Sequence, residues 1–212
     1  MRTTSFLSDA VASRGRRRAR RGLISAVALG LLLTASPAAA STDTARHDIT
    51  VREQDGVYRV EARFLVPQAG PLVVAVLTDY EQIPRFMPDV RTSTVLERGN
   101  RRTVVEQEAV ARVMMFSKRV HLVLEVQEEA ATIHFRDRCG KSFSRYEGSW
   151  SITEHHTGAE IVYQLTAKPA FDVPTFLLRR LLKRDAQLMI ERLRTEISAR
   201  SRLRQGYGGQ AR

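Results

Sequence analysis

The chain has 212 residues, 43% hydrophobic and 27% charged, with a formal net charge of +11. Residues 1–40 contribute +6 (seven Arg, one Asp) and residues 200–212 contribute +4 (four Arg, no acid), which leaves 41–199 at +1 and excludes a domain-wide basic field for phosphate backbones. Cys139 is the only cysteine, which excludes an intramolecular disulfide and a cysteine zinc cluster.

In chain order, the first 40 residues read as a secretory signal peptide. Arg14, Arg16, Arg17, Arg18, Arg20 and Arg21 form a basic stretch, Leu23 to Leu33 is apolar, and Ala38-Ala39-Ala40 offers a cleavage site before Ser41. The apolar run is too short to span a bilayer. A retained membrane anchor is the alternative. Arg20-Arg21-Gly22-Leu23-Ile24 also resembles a twin-arginine export signal. Export, with a periplasmic location, is the expectation.

The mature part opens on a hairpin. Ile49 and Val51 alternate with polar neighbours, Asp55-Gly56 suits a two-residue turn, and Val60, Ala62, Phe64 and Val66 alternate with Arg59, Glu61 and Arg63. Leu72 to Leu77 reads as a short helix with Pro71 in its first turn. Thr78-Asp79-Tyr80-Glu81 fits a capping box for a second short helix, which Pro84 should stop. Phe86 and Met87 then sit between Pro84 and Pro88, a place where a plain loop would not hold two large apolar residues.

After Val90 the pattern is period two for about eighty residues. Strands are expected over 90–97, 102–113, 119–128, 131–138, 142–153 and 159–169. Asn100, Ser117-Lys118, Glu129-Ala130, Gly140 and Gly158 mark the turns. Short connections imply an antiparallel meander. A long helix follows from Pro174 to about Ala199, with Leu178, Leu182, Met189 and Leu193 on one stripe. The end, RQGYGGQAR, has no apolar periodicity, so 200–212 reads as a disordered basic tail. The fold class is therefore α+β: a curved antiparallel sheet wrapped around a long C-terminal helix, with two short helices after the first strands closing one end.

The strand phases name the inner face. It carries Val105, Gln107, Ala109, Ala111 and Val113, then Val120, Leu122, Leu124 and Val126, then Ile133 and Phe135, Tyr146, Gly148, Trp150 and Ile152, and finally Ile161, Tyr163, Leu165 and Ala167. Ala109, Ala111 and Gly148 are small. They either leave space or are small because bulky neighbours such as Trp150 fill it.

At this point the chain resembles the START/Bet v1-like (SRPBCC) superfamily, and within it the coenzyme Q-binding and polyketide cyclase/dehydrase-like branch. The resemblance is carried by VLTDYEQIPRFMPDVRTSTVLE at 76–97, YEGSWSI at 146–152 and FDVP at 171–174, and it covers about residues 48–199. It implies a helix-grip fold over 41–199, with a cavity between sheet and long helix for a hydrophobic or amphipathic ligand. It also places Phe86 and Met87 at or near the mouth. The superfamily includes carriers, quinone binders and cyclases, so the fold does not select among them.

Catalytic signals are sparse. His47, His121, His134, His155 and His156 have no zinc-motif spacing and read as surface, and neither a G-x-S-x-G nor a P-loop pattern is present. Tyr146, Tyr163 and Gln107 face inward and could orient a carbonyl oxygen or bond to backbone. Asp185, beside Leu181, Leu182 and Met189, is a carboxylate that must be paired, at a rim or titrating high. Arg179, Arg180, Lys183 and Arg184 follow Phe176 and Leu177 early in the helix, which suits transient contact with an anionic membrane or simple solubility.

The ligand-binding set is thus Phe86, Met87, Gln107, Ala109, Ala111, Val113, Phe135, Tyr146, Trp150, Tyr163, Leu178, Leu182, Asp185 and Met189. No cofactor, metal or nucleic acid is expected. The reading is a binding protein for a quinone, isoprenoid or lipid. The rivals are a cyclase or lyase acting on a carbonyl-rich substrate, and a lipid-surface docking module with a filled core. N-terminal sequencing of the secreted form should begin near Ser41. A mature protein that keeps Leu23 to Leu33 would restore the anchor instead.

Overall fold

The computed structural model describes residues 47–113 and 116–208, without the side chains of Val113, Phe116 and residues 206–208. The segment read as a signal peptide lies outside the described residues. β1 (His47–Gln54) and β2 (Val57–Val66) form the expected hairpin. Asp55 and Gly56 both adopt positive φ, 54° and 73°, which matches the right-handed twist of the strands. On β2 the alternation is strict, and Val60, Ala62, Phe64 and Val66 are all buried.

α1 (Gly70–Leu77) follows, with Pro71 in its first turn. Its start is tied to the sheet: the Gly70 N–H donates to the Glu154 carboxylate at 2.7 Å. The capping box does not form. The Thr78 hydroxyl donates back to the Val74 carbonyl at 2.9 Å, ending α1, and Asp79 makes no side-chain cap. A 3-10 turn, Tyr80–Gln82, leads into α2 (Ile83–Phe86). Pro84 therefore does not stop a helix; it lies in the first turn of one. Its fixed φ suits that position, and its missing N–H would have no partner there.

β3 (Val90–Arg98), β4 (Arg102–Val113), β5 (Phe116–Glu128), β6 (Thr132–Asp137), β7 (Phe143–His155) and β8 (Gly158–Pro169) complete the meander. The eight strands form one antiparallel sheet in the order β1-β2-β8-β7-β6-β5-β4-β3. The turn expected at Ser117-Lys118 falls earlier. Ser117 pairs with Arg112 and Lys118 with Ala111, so the two strands run on to the Val113–Phe116 pair. Polar residues are tolerated there because both are exposed at the sheet's end.

α3 runs from Thr175 to Gly208, past the expected end at Ala199. Its last part is anchored rather than free at residue 200. Arg200 bonds Glu196 one turn back and Asp79 across the molecule, each at 2.7 Å. The buried stripe is Ala186, Ile190, Leu193 and Ile197, which packs with Val60, Ala62, Phe64 and Ile161. Leu182 and Met189 lie on a neighbouring stripe, only partly buried. Among the described residues no helix is long and apolar enough to cross a membrane.

Gly148 corrects one expectation. It leaves no space. A Cβ there would stand 2.1 Å from the Gln164 carbonyl oxygen and 2.6 Å from the edge of the Phe135 ring. The glycine lets β8 approach closely and lets Phe135 lie over the backbone. Gly148→Ala should lower unfolding free energy by ~1–3 kcal/mol, the range for overpacking against a backbone that cannot yield. A denaturant midpoint unchanged from wild type would show that the strands separate freely there.

Candidate functional site

A cavity of about 840 Å³ opens between the sheet, α3 and the α1–α2 corner. One wall is the inner face of β4 and β5: Val105, Gln107, Ala109 and Ala111, then Val120, Leu122, Leu124 and Val126. These side chains share a face because strand neighbours alternate. α3 supplies Leu178, Leu182, Asp185 and Met189 at the spacing of one helical face. The corner supplies Tyr80, Ile83, Phe86 and Met87. Each expected ligand-binding residue lines this cavity, apart from Val113, whose side chain lies outside the described residues.

Phe86 and Met87 answer for the double-proline segment. Both are half-buried, border the cavity and pack against the main core. They are part of the packing as well as of the cavity lining. The periodicity missed Tyr80, Phe143 and Phe171, which also line the cavity. Phe143 sits at the first position of its strand and Phe171 in the segment leading to α3, where no repeat points inward.

Aromatic rings form a continuous path along one wall. Trp150 lies 4.4 Å from Tyr163, which stacks on Phe135 at 6.3 Å. Phe135 is 5.9 Å from Tyr146, Tyr146 is 4.9 Å from Phe143, and Phe143 is 6.4 Å from Phe171. Lys118 holds its ammonium 5.0 Å from the Phe171 ring centre at the outer end. Such offset and tilted pairs suit a flat ligand ring as well as one another.

The polar groups are few. Gln107 donates to the Ser93 hydroxyl at 3.1 Å, so its amide already has a partner. Burial pushes the Tyr146 hydroxyl up to about 12 and raises that of Tyr163 well above its ordinary value, and the two hydroxyls act on each other. Tyr80 donates to Glu128 at 2.8 Å, and Glu128 also accepts from the Thr103 hydroxyl at 3.0 Å; burial first and that carboxylate second hold the phenol protonated. This pair pins the corner to the sheet. Among the described residues no cluster of His, Cys, Asp and Glu could hold a metal ion. The basic side chains Arg179, Arg180, Lys183 and Arg184 are exposed on the outside of α3, and Phe176 beside them is 75% exposed.

Asp185 is the anomaly. It lines the cavity, is half-buried, and has no hydrogen bond or ion pair among the described residues. Burial raises its carboxyl to about 6, with a further rise from Asp89 and a smaller lowering from Arg184. The folded carboxyl therefore holds its proton more tightly than the unfolded one. Stability conferred by the protonated form is present below about pH 4 and is lost as pH rises through about 6. Asp185→Asn should raise unfolding free energy by ~1–3 kcal/mol near neutral pH and change little in acid. Parallel wild-type and variant pH–stability curves would refute the buried carboxylate.

The comparisons agree with this geometry. Residues 71–194 match the family model described as polyketide cyclase / dehydrase and lipid transport. No curated protein sequence matches the chain. The fold is similar to that of the STAR-related lipid transfer protein from Xanthomonas axonopodis, with 20% identity and a TM-score of 0.61 over 72% of this chain and 93% of that one. It is also similar to the Zhui aromatase/cyclase from Streptomyces sp. R1128, with 15% identity and a TM-score of 0.59 over 68% of this chain and 96% of that one. Human STARD10 shares 12% identity and a TM-score of 0.59, over 76% of each chain. With more than half of its length matched and the helix-grip arrangement in place, the chain belongs to the polyketide cyclase/dehydrase and lipid transport family.

Proposed function

We propose that the protein is exported and holds one hydrophobic or amphipathic molecule, a quinone, isoprenoid or lipid, in the cavity between sheet and α3. The observation that carries this reading is the cavity itself. At about 840 Å³ it lies in the range of small-molecule sites, and its walls are mostly aliphatic and aromatic. Ala109 and Ala111 border it, so their small size corresponds to space rather than to crowding. The ring path from Trp150 to Phe171 would favour a ligand with a flat head over a purely aliphatic one. The ligand would be carried or shielded without covalent chemistry. In support, Gln107 and Tyr80 are already bonded within the protein.

A second reading has its own observation. Asp185 and the Tyr146–Tyr163 pair face one cavity, and the Asp185 carboxyl is raised to about 6. A group titrating near neutrality can move protons on a carbonyl-rich substrate, as a cyclase requires. Delivery or collection of the ligand at an anionic membrane would use Arg179, Arg180, Lys183 and Arg184 with Phe176. Changing the four cations to Gln should then weaken binding to anionic vesicles, and equal binding of both forms would remove the membrane step.

Native mass spectrometry of protein purified from its own membranes tests the main reading. A retained apolar mass is the expected result. Ala111→Leu should fill ligand space, abolish uptake of an apolar dye and leave stability within ~1 kcal/mol, since the added burial offsets modest strain. A variant destabilised by ~1–3 kcal/mol, together with a wild type that takes up no dye, would mean that the volume is not a binding site.

A further inference from the structure

We infer that the cavity selects ligands whose polar end is neutral or cationic and donates hydrogen bonds, and rejects carboxylates and other anions, with Asp185 as the selecting residue. The inference rests on the binding reading above and narrows it: alcohols, hydroquinones and amines fit, whereas fatty acids do not.

Asp185 lies three residues after Leu182 and four before Met189, so all three share one face of α3 and line the cavity together. It is the half-buried carboxylate of this lining without a hydrogen bond or ion pair among the described residues. Charged groups lie around it, two of them the cavity-lining cations Lys118 and Arg192, and none forms an ion pair with it among the described residues. From the α2–β3 corner, Asp89 is bonded to Arg112 at 2.9 Å. From β5, Lys118 sits over Phe171. On the helix itself, Arg184 is exposed and lowers the Asp185 carboxyl slightly, Arg192 is exposed and lines the cavity seven residues further on, and Asp172 before the helix is exposed and lines it too. From β7 and β8, Tyr146 and Tyr163 are held neutral by burial.

An anion beside Asp185 would meet a carboxylate that no ion pair offsets among the described residues. At an effective dielectric of about 20 the repulsion over contact distances amounts to roughly tenfold in affinity or more. A hydroxyl or ammonium instead supplies the donor that the carboxylate lacks, and relieves the cost of burying it unpaired. Its upward-shifted titration is the sign of that cost. The apolar walls accept any chain; Asp185 discriminates the end group.

The test uses the whole protein loaded with N-phenyl-1-naphthylamine, a neutral dye. Dodecanol, dodecylamine, dodecanoate and dodecyl sulfate, which share one chain length, are then compared as displacers. At about pH 8, where Asp185 is ionised, alcohol and amine should displace dye at roughly tenfold lower concentration than either anion. In Asp185→Asn the gap should shrink to about twofold or less, and Asp185→Glu should keep it. In wild type at about pH 5 the carboxyl is protonated, and dodecyl sulfate, still an anion, should gain affinity. That arm needs no variant and stands even where a substitution impairs folding. Dye uptake with equal displacement by all four, or a gap that persists in Asp185→Asn, overturns this inference and leaves the binding reading intact. No dye uptake by wild type overturns both.

Discussion

The whole structure depends on a mismatch of widths. Eight antiparallel strands at about 4.8 Å spacing make a sheet close to 40 Å across, whereas one helix with its side chains is only about 10–12 Å wide. One helix cannot cover one oily face of that size. α3 solves part of the problem by seating Ala186, Ile190, Leu193 and Ile197 on β2 and β8, where the core is dense. The sheet curls to meet the helix; β4 meets it at Ala111, beside Leu178 and Leu181, and the face of β4 and β5 from Val105 to Ala109 and from Val120 to Val126 borders the cavity. The cavity is the remainder of that arithmetic, and it falls where the small residues Ala109 and Ala111 lie.

The uncovered end is closed by a corner rather than by another long element. α1, the 3-10 turn and α2 are too short to hold themselves in place by helix propagation. Core burial of Leu72, Val73 and Val76 and three polar contacts hold them instead. Glu154 accepts the Gly70 N–H, Glu128 accepts the Tyr80 hydroxyl, and Arg200 reaches back to Asp79. The corner is thereby fixed to β7, β5 and α3. Phe86 and Met87, at its far end, both pack on the core and line the cavity.

Within the cavity, chemistry is concentrated in a few side chains on an apolar background. The aromatic path along β6, β7 and β8 provides surface without charge. Asp185 provides a carboxyl with no hydrogen bond or ion pair among the described residues. A cyclase and a carrier share this fold, and the difference between them is whether such a group aligns with a reacting atom or only with a polar end.

The alternation of apolar and polar residues determined the strands, their phases and hence the inner face. Period two leaves little freedom once one face is buried, because a one-residue slip would turn every side chain outward. The same local rules placed the Asp55-Gly56 turn and the long last helix. They failed where a residue had two uses. Thr78 and Asp79 fit a capping box, yet the hydroxyl turns back to Val74 of its own helix and a tertiary partner, Arg200, draws the carboxylate. Pro84 reads as a stop in any local pattern, yet it suits the start of α2. Arg200 lies in a polar, Gly-rich end, yet a salt bridge 121 residues away in sequence holds it in the helix. Small residues on an inner strand face look alike in sequence. Only packing distinguished Gly148, which is filled by Phe135 and by the Gln164 backbone, from Ala109 and Ala111, which border open volume. A cavity is a property of what does not touch, and that is decided by the distance between sheet and helix rather than by any residue's own preference.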